Sequence, residues 1–174
     1  MDDIVPDRAG IVLAGGQSRR MGQSKLSLPF GPEEMLQRVV RILGSVVRPV
    51  VIAAQPGQQF AALPPWVCLA YDRHERLGPL QGIGTGLEAL QGVAAAAFVT
   101  ACDVPLLEPG FVRRMLDLSA GFDVAVPCVH GWDEPLAAVY RTAVLPSIEE
   151  LLAGGERRIV PLFDRVRTRR ESFT

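Results

Sequence analysis

Ala9-Gly10-Ile11-Val12-Leu13-Ala14-Gly15-Gly16 is a run of small and branched apolar residues that stops on a glycine pair. A short apolar run closed by glycine reads as a buried strand feeding a loop. The residues after that loop alternate in the same way between helical and strand patterns. Glu33 to Val47 carries apolar side chains at Met35, Leu36, Val39, Val40, Leu43, Val46 and Val47, one stripe at the helical period. Pro49 to Ala54 is a second buried strand, with proline at its start, where a missing N–H matters least.

The alternation continues to the far end. Val67 to Tyr71 is a weaker strand, and Leu80 to Leu90 is helical through Leu80, Ile83, Leu87 and Leu90. Ala96 to Thr100 is a strand that runs into Cys102-Asp103, and Pro109 to Leu118 is a helix with proline in its first turn. Strands follow at Asp123 to Pro127 and Leu136 to Tyr140, then a helix from Thr142 to Ala153 closed by Gly154-Gly155. From Arg157 onward the pattern is ambiguous. Repeated strand–helix–strand units predict an α/β fold, Rossmann-like, with a mostly parallel sheet and helices on both faces. Ligands of such folds bind at the carboxyl ends of strands, near the point where strand order reverses. Gly15, Asp72 and Asp103 all sit just after predicted strands.

With 174 residues, 48% of them hydrophobic and 21% charged, the chain reads as a single domain over residues 1–174 and not as a disordered segment. Its 18 Lys and Arg nearly cancel 19 Asp and Glu. A duplex-binding domain is normally basic, so no nucleic acid is expected as main partner. Cys68, Cys102 and Cys128 are odd in number and form no C-x-x-C pair, which suits a reducing compartment. The opening MDDIVPDRAG has no apolar core of a signal peptide, and no run approaches the roughly 18 apolar residues of a membrane span. The expected setting is the cytoplasm, with no membrane.

Leu13 to Lys25, LAGGQSRRMGQSK, holds the densest chemistry. Glycines at 15, 16 and 22 let the backbone approach a ligand, and successive N–H groups in such a turn form an anion cradle. Arg19, Arg20 and Lys25 add charge-assisted donors suited to a polyphosphate. The spacing matches neither the Walker A loop nor the dinucleotide fingerprint. Taken alone it suits an ordinary basic surface loop equally well.

The whole string resembles the signature of the nucleoside-triphosphate transferases, through Leu13, Ala14, Gly15, Gly16, Ser18, Arg20, Met21, Gly22 and Lys25. Within that superfamily the chain most resembles the molybdenum cofactor guanylyltransferase family. The likeness continues through Asp72 and GPLQGIGTGL, TACDVP around Asp103, DEPLAAVYR at 133–141 and GERR at 155–158. It implies GTP and molybdopterin as substrates, transfer of GMP to the molybdopterin phosphate, and pyrophosphate as leaving group. Mg2+ is implied as cofactor, with Asp103 as its ligand. The catalytic residues implied are Lys25, Asp103 and Arg20. The nucleotide would be bound by Leu13, Ala14, Gly15, Gly16, Lys25, Asp72, Gly78 and Asp103, with a base or ribose environment at Gly78 to Gly82. Molybdenum-cofactor insertion proteins and apo-molybdoenzymes would be the downstream partners.

The residues themselves support part of this. A carboxylate directly after a strand, too far from Pro109 to cap its helix, suits a hard cation completed by phosphate oxygens and water. Glycines at 78, 82, 84 and 86 weaken a helix by about 1 kcal/mol each relative to alanine, so either a ligand or a packed neighbour must come close. Other features have plainer readings. Cys128-Val129-His130 is half a metal site without a partner pair. Cys102 reads as core, and His74 as a solvated loop residue. Arg165, Arg167 and Arg169 share a face if the tail is extended, as a solvated edge or an aid to an anionic substrate. Two departures from the family stand out. Ala53 occupies the place of a usual asparagine, with Gln55 as a substitute, and the chain stops at Phe173-Thr174, before an Asn-rich segment, so a short chain or an incomplete acceptor site is expected. The rival expectations are a CTP-using cytidylyltransferase, which tends to carry L-A-A-G where this chain has Ala14-Gly15-Gly16, and a non-catalytic delivery module.

Overall fold

The computed structural model describes residues 4–15, 27–74 and 77–174. Its strands are β1 Arg8–Leu13, β2 Pro29–Phe30, β3 Glu33–Glu34, β4 Val50–Ala54, β5 Val67–Tyr71, β6 Ala96–Ala101, β7 Val124–Val129, β8 Trp132–Asp133, β9 Ala137–Arg141 and β10 Thr168–Phe173. Its α-helices are α1 Met35–Gly44, α2 Gly78–Ala89, α3 Pro109–Leu118 and α4 Leu145–Ala153. Among the described residues an eight-stranded sheet runs β10-β7-β9-β6-β1-β4-β5, with β8 paired to β7. Pairs β1–β4, β4–β5, β1–β6 and β7–β10 are parallel, while β9 runs antiparallel to both its neighbours. The Rossmann-like α/β expectation holds.

The period of two along each strand sorts side chains onto opposite faces. Val12, Val50, Ile52 and Phe98 pack beneath α1 and α3 with Leu43, Val112 and Met115. Ile11, Val51, Val99 and Tyr140 pack beneath α2 and α4 with Leu80, Ile83, Leu87 and Ile148. The apolar run at 9–14 is continuous because β1 has core on both sides. It is also where strand order reverses, with β4 then β5 on one side and β6 on the other. Register pairs Leu13 with Ala53 and with Ala101, so the loops after β1, β4 and β6 leave the sheet at one level.

Local chemistry moves some boundaries. The first helix starts later than its stripe, because Glu33–Glu34 pairs with Pro29–Phe30 as a small hairpin. Its first turn is then tied by the Glu34 N–H donating to Gln37 Oε1 at 3.2 Å. It ends at Gly44, where the Trp66 ring lies in the place of a Cβ. Val46 and Val47 stay fully buried without being helical. The predicted helix at 142 begins with a 3-10 turn, Thr142–Val144, where Thr142 Oγ1 donates to the carbonyls of Ala94 and Ala95. The ambiguous tail becomes β10, an edge strand. Of the three arginines expected on one face only Arg169 lies in it. Arg165 pairs with Glu150, Arg167 with Asp123 and Arg169 with Glu171, so the tail arginines serve as surface ion pairs. No helix among the described residues is long and apolar enough to cross a membrane.

Candidate active site

The carboxyl ends of β1, β4, β5 and β6 form one rim, and the chain places its polar groups there. Leu13 is half-buried at the end of β1, Ala14 is buried, and Gly15 is exposed. The Ala14 N–H still donates to Ala53 O at 2.9 Å, so the chain leaves the sheet at Gly15. Asp103 is exposed, one residue beyond Cys102, whose N–H donates to Leu13 O. Glu108, and not Asp103, stands at the N-cap of α3. Gly16, Arg20 and Lys25 lie outside the described residues.

Asp72 closes the other end of the rim. Its N–H donates to Ala54 O at 2.8 Å, fixing it one step past β5. The side chain is only 5% exposed. Thr85 Oγ1 donates to its Oδ1 and Gln55 Nε2 to its Oδ2, each at 2.6 Å. Burial pushes the Asp72 carboxyl up, and the Thr85 hydroxyl pulls it partly back. Asp72 and Asp103 follow strands three places apart in the sheet, about 14 Å at the usual strand spacing. Gly15 leaves the sheet between them. Asp72 and Asp103 thus stand on either side of the end of β1, with the side-chain-free Gly15 between them at the switch point.

The glycines of α2 turn out to serve packing. A Cβ on Gly86 would stand 2.7 Å from Ile11, one on Gly82 3.1 Å from Leu13, and one on Gly84 3.2 Å from Ile148. Within the stretch Gly78 to Gly82, expected as a base or ribose environment, Gly82 faces Leu13 at the end of β1. Gly78 is exposed at the start of α2 with φ +75°. A Cβ there would be 3.5 Å from Arg157 O, which links the helix start to the GERR stretch. In that stretch the Arg158 side chain, followed by the backbone N–H groups of Arg158 and Arg157, holds the Glu156 carboxyl down to about 2. Asp133 of the DEPLAAVYR segment accepts from Arg170 Nε at 3.0 Å, and buried Tyr140 donates to Pro135 O. Cys102 is core, as expected. Among the described residues no three His, Cys, Asp or Glu side chains cluster as a metal cage, and His130 sits at the β7–β8 turn with φ +51°.

Sequence reasoning missed Gln58, Thr85 and Gln81. Gln58 Oε1 accepts from the Gln55 N–H at 2.6 Å while its Nε2 donates to Ala14 O at 3.0 Å. Gln81 Nε2 donates to Thr85 Oγ1 at 3.3 Å. A threonine among α2 glycines was the one signal available, since a polar residue on a buried helix face needs a partner.

The MobA-like NTP transferase domain model matches residues 10–168. The chain belongs to that family. It is 38% identical over 173 residues to a protein of Mycobacterium tuberculosis H37Rv named as a probable molybdenum cofactor guanylyltransferase, covering 94% of this chain and 84% of that one. Among solved structures, molybdopterin-guanine dinucleotide biosynthesis protein A of Archaeoglobus fulgidus superposes with TM-score 0.76 at 22% identity, over 95% of this chain and 83% of that one. Rv0371c of M. tuberculosis H37Rv, solved in complex with manganese, superposes with TM-score 0.71 at 14% identity, over 95% and 88% of the two chains. The likeness to the two solved structures is one of fold. Family membership makes this MobA-like chain a nucleotidyltransferase.

Proposed function

We propose that residues 1–174 form one nucleotidyltransferase domain that transfers GMP from GTP to the terminal phosphate of molybdopterin, releasing pyrophosphate. The observation that carries this reading is the placement of Gly15, which leaves the sheet between Asp72 and Asp103 at the strand-order reversal. The nucleoside belongs at the β4–β5 end, beside Asp72 and Gly78, and the phosphates belong over β1, pointing to Asp103. The backbone of Leu13, Ala14, Gly15 and Gly16 supports the triphosphate. Lys25 and Arg20 offset charge that moves onto the leaving pyrophosphate. A phosphate nucleophile is already ionised at neutral pH, so no side chain need act as general base.

Asp103 is the residue to hold a divalent ion, Mg2+ in this reading. One exposed carboxylate, with no cage of His, Cys, Asp or Glu among the described residues, suits an ion that takes one or two protein ligands and fills its remaining positions with phosphate and water. Such an ion, when bound, neutralises phosphate oxygens and aligns an in-line displacement. The free cysteines suit a cytoplasmic setting, and apo-molybdoenzymes or insertion proteins would receive the product.

The test is pyrophosphate release with Mg2+, molybdopterin and each nucleoside triphosphate in turn. GTP-dependent release is expected. Release with CTP alone, or none, would overturn the assignment. Asp103→Asn is expected to lower turnover at least about a hundredfold with an unchanged melting temperature. Lys25→Ala is expected to weaken nucleotide binding about tenfold and slow transfer. Wild-type kinetics in either variant would remove that residue from the site.

A further inference from the structure

Among the described residues, Asp72 is buried with hydrogen-bond donors on its carboxylate and no ion pair. Its oxygens accept from two neutral donors on different elements, Thr85 on α2 and Gln55 just past β4, both at 2.6 Å. A carboxylate has about four lone-pair directions. Two donors fix its plane and leave acceptor capacity on each oxygen. Gly15 comes up beside this pair without a side chain. A Cβ at that position would stand 3.1 Å from Gln55 Nε2 and 3.6 Å from Asp72 Oδ2.

Gln55 is itself held. Its N–H donates to Gln58 Oε1 at 2.6 Å, and Gln58 Nε2 donates to Ala14 O at 3.0 Å. An unbroken chain of hydrogen bonds therefore runs from the last residue of the β1 exit, through two glutamines, to the Asp72 carboxylate. Core filling does not require it, because Gln55 and Gln58 are only half-buried. The residue two places earlier on the same side of β4, Ala53, is 2% exposed and carries no polar group. Just past β4, Gln55 is the side chain that reaches Asp72.

We propose that Gln55 is a positioning residue that holds Asp72 to accept two adjacent N–H donors of a nucleobase, and so selects guanine. The proposal rests on the reading that this rim binds a nucleoside triphosphate. The guanine pairing edge presents the ring N1–H and the 2-amino group side by side, which two oriented acceptors can take together. Cytosine presents its 4-amino donor beside acceptors at N3 and O2, so pairing that donor with the carboxylate brings N3 against the carboxylate lone pairs without a proton between them. Hypoxanthine keeps N1–H and lacks the amino group, so it fills half the site. A site built to hydrogen-bond a group rejects an analogue that leaves its buried partner unpaired.

Equilibrium titration of the wild-type chain, Gln55→Leu and Thr85→Val with GTP, ITP and CTP, each with Mg2+, tests this, with melting curves as control. The wild type is expected to bind GTP about tenfold more tightly than ITP, and CTP more weakly than either. In both variants the GTP to ITP ratio is expected to fall toward one, mainly through weaker GTP binding. Thr85→Val removes the second donor with little change of shape, so it stands as the independent reading if the leucine variant melts early. Equal weakening of GTP and ITP would show a merely structural role and overturn the proposal. So would unchanged GTP affinity in both variants. A wild-type chain that binds none of the three triphosphates would overturn the nucleotide reading beneath it, and this inference with it.

Discussion

At the scale of single residues, Asp72, proposed above to meet the base, is held against the preference of the fold. Burial raises its carboxyl above the ordinary value of 3.8, so the folded chain keeps that proton to higher pH than the unfolded chain does. Stability associated with this group is therefore greatest at low pH and falls as pH rises through the window above 3.8. Asp72→Asn removes the penalty, and both neighbours can adapt: the Thr85 hydroxyl can accept and the Gln55 amide can turn. The variant is expected to melt above wild type at pH 8, with the gap closing as pH falls toward 3.8, while its nucleotide affinity is lost. Thermal melts across that range check this, and a variant melting below wild type at pH 8 would contradict it. Asp72 and Asp103 were legible in the sequence because each follows an apolar strand. Gln55 was visible only against the family pattern, and Gln58 not at all. A polar side chain that bridges two loops leaves no period in the sequence.

Among the elements, α2 shows how one sequence signal admits two physical causes. Its glycines read equally well as a ligand surface or as close packing, and the structure assigns those at 82, 84 and 86 to packing on Leu13, Ile148 and Ile11. Gly86→Ala would drive a methyl to 2.7 Å from Ile11, a side chain fixed by core around it. Denaturant melts are expected to show a loss of about 1–3 kcal/mol. Gly110, on α3 with nothing within 4 Å of a built Cβ, is the counter-case, and its replacement by alanine is expected to gain about 0.5 kcal/mol. Equal effects at the two sites would refute the packing account. Strands β1, β4, β6, β7 and β9 were legible because each has buried residues along it, and β5, with none, read as the weaker strand it is. The Pro29–Phe30 and Glu33–Glu34 hairpin, β8 and β10 were not. Two-residue strands have no period to read, and β10 is a charged edge whose side chains are set by ion pairs with its neighbours.

Across the whole molecule, the reversal of strand order at β1 does the organising. It brings four strand ends to one level, and the sheet spacing puts about 14 Å between Asp72 and Asp103. A nucleoside triphosphate is long and chemically polar along its length, and this rim has a matching direction, from a hydrogen-bonding buried carboxylate to an exposed one. The two sheet edges add nothing to that direction. β10 presents Arg169, Arg170 and Glu171, charges that resist pairing with a second sheet. The account thus makes one spatial claim, that the nucleotide lies across β5, β4, β1 and β6 in that order from base to metal. Anomalous scattering from Mn2+ in a crystal grown with GTP measures this directly. The account predicts a manganese peak on the Asp103 carboxylate, phosphate density over Gly15 and the guanine ring against Asp72. A peak elsewhere, or a guanine ring at the Asp103 end, would contradict it.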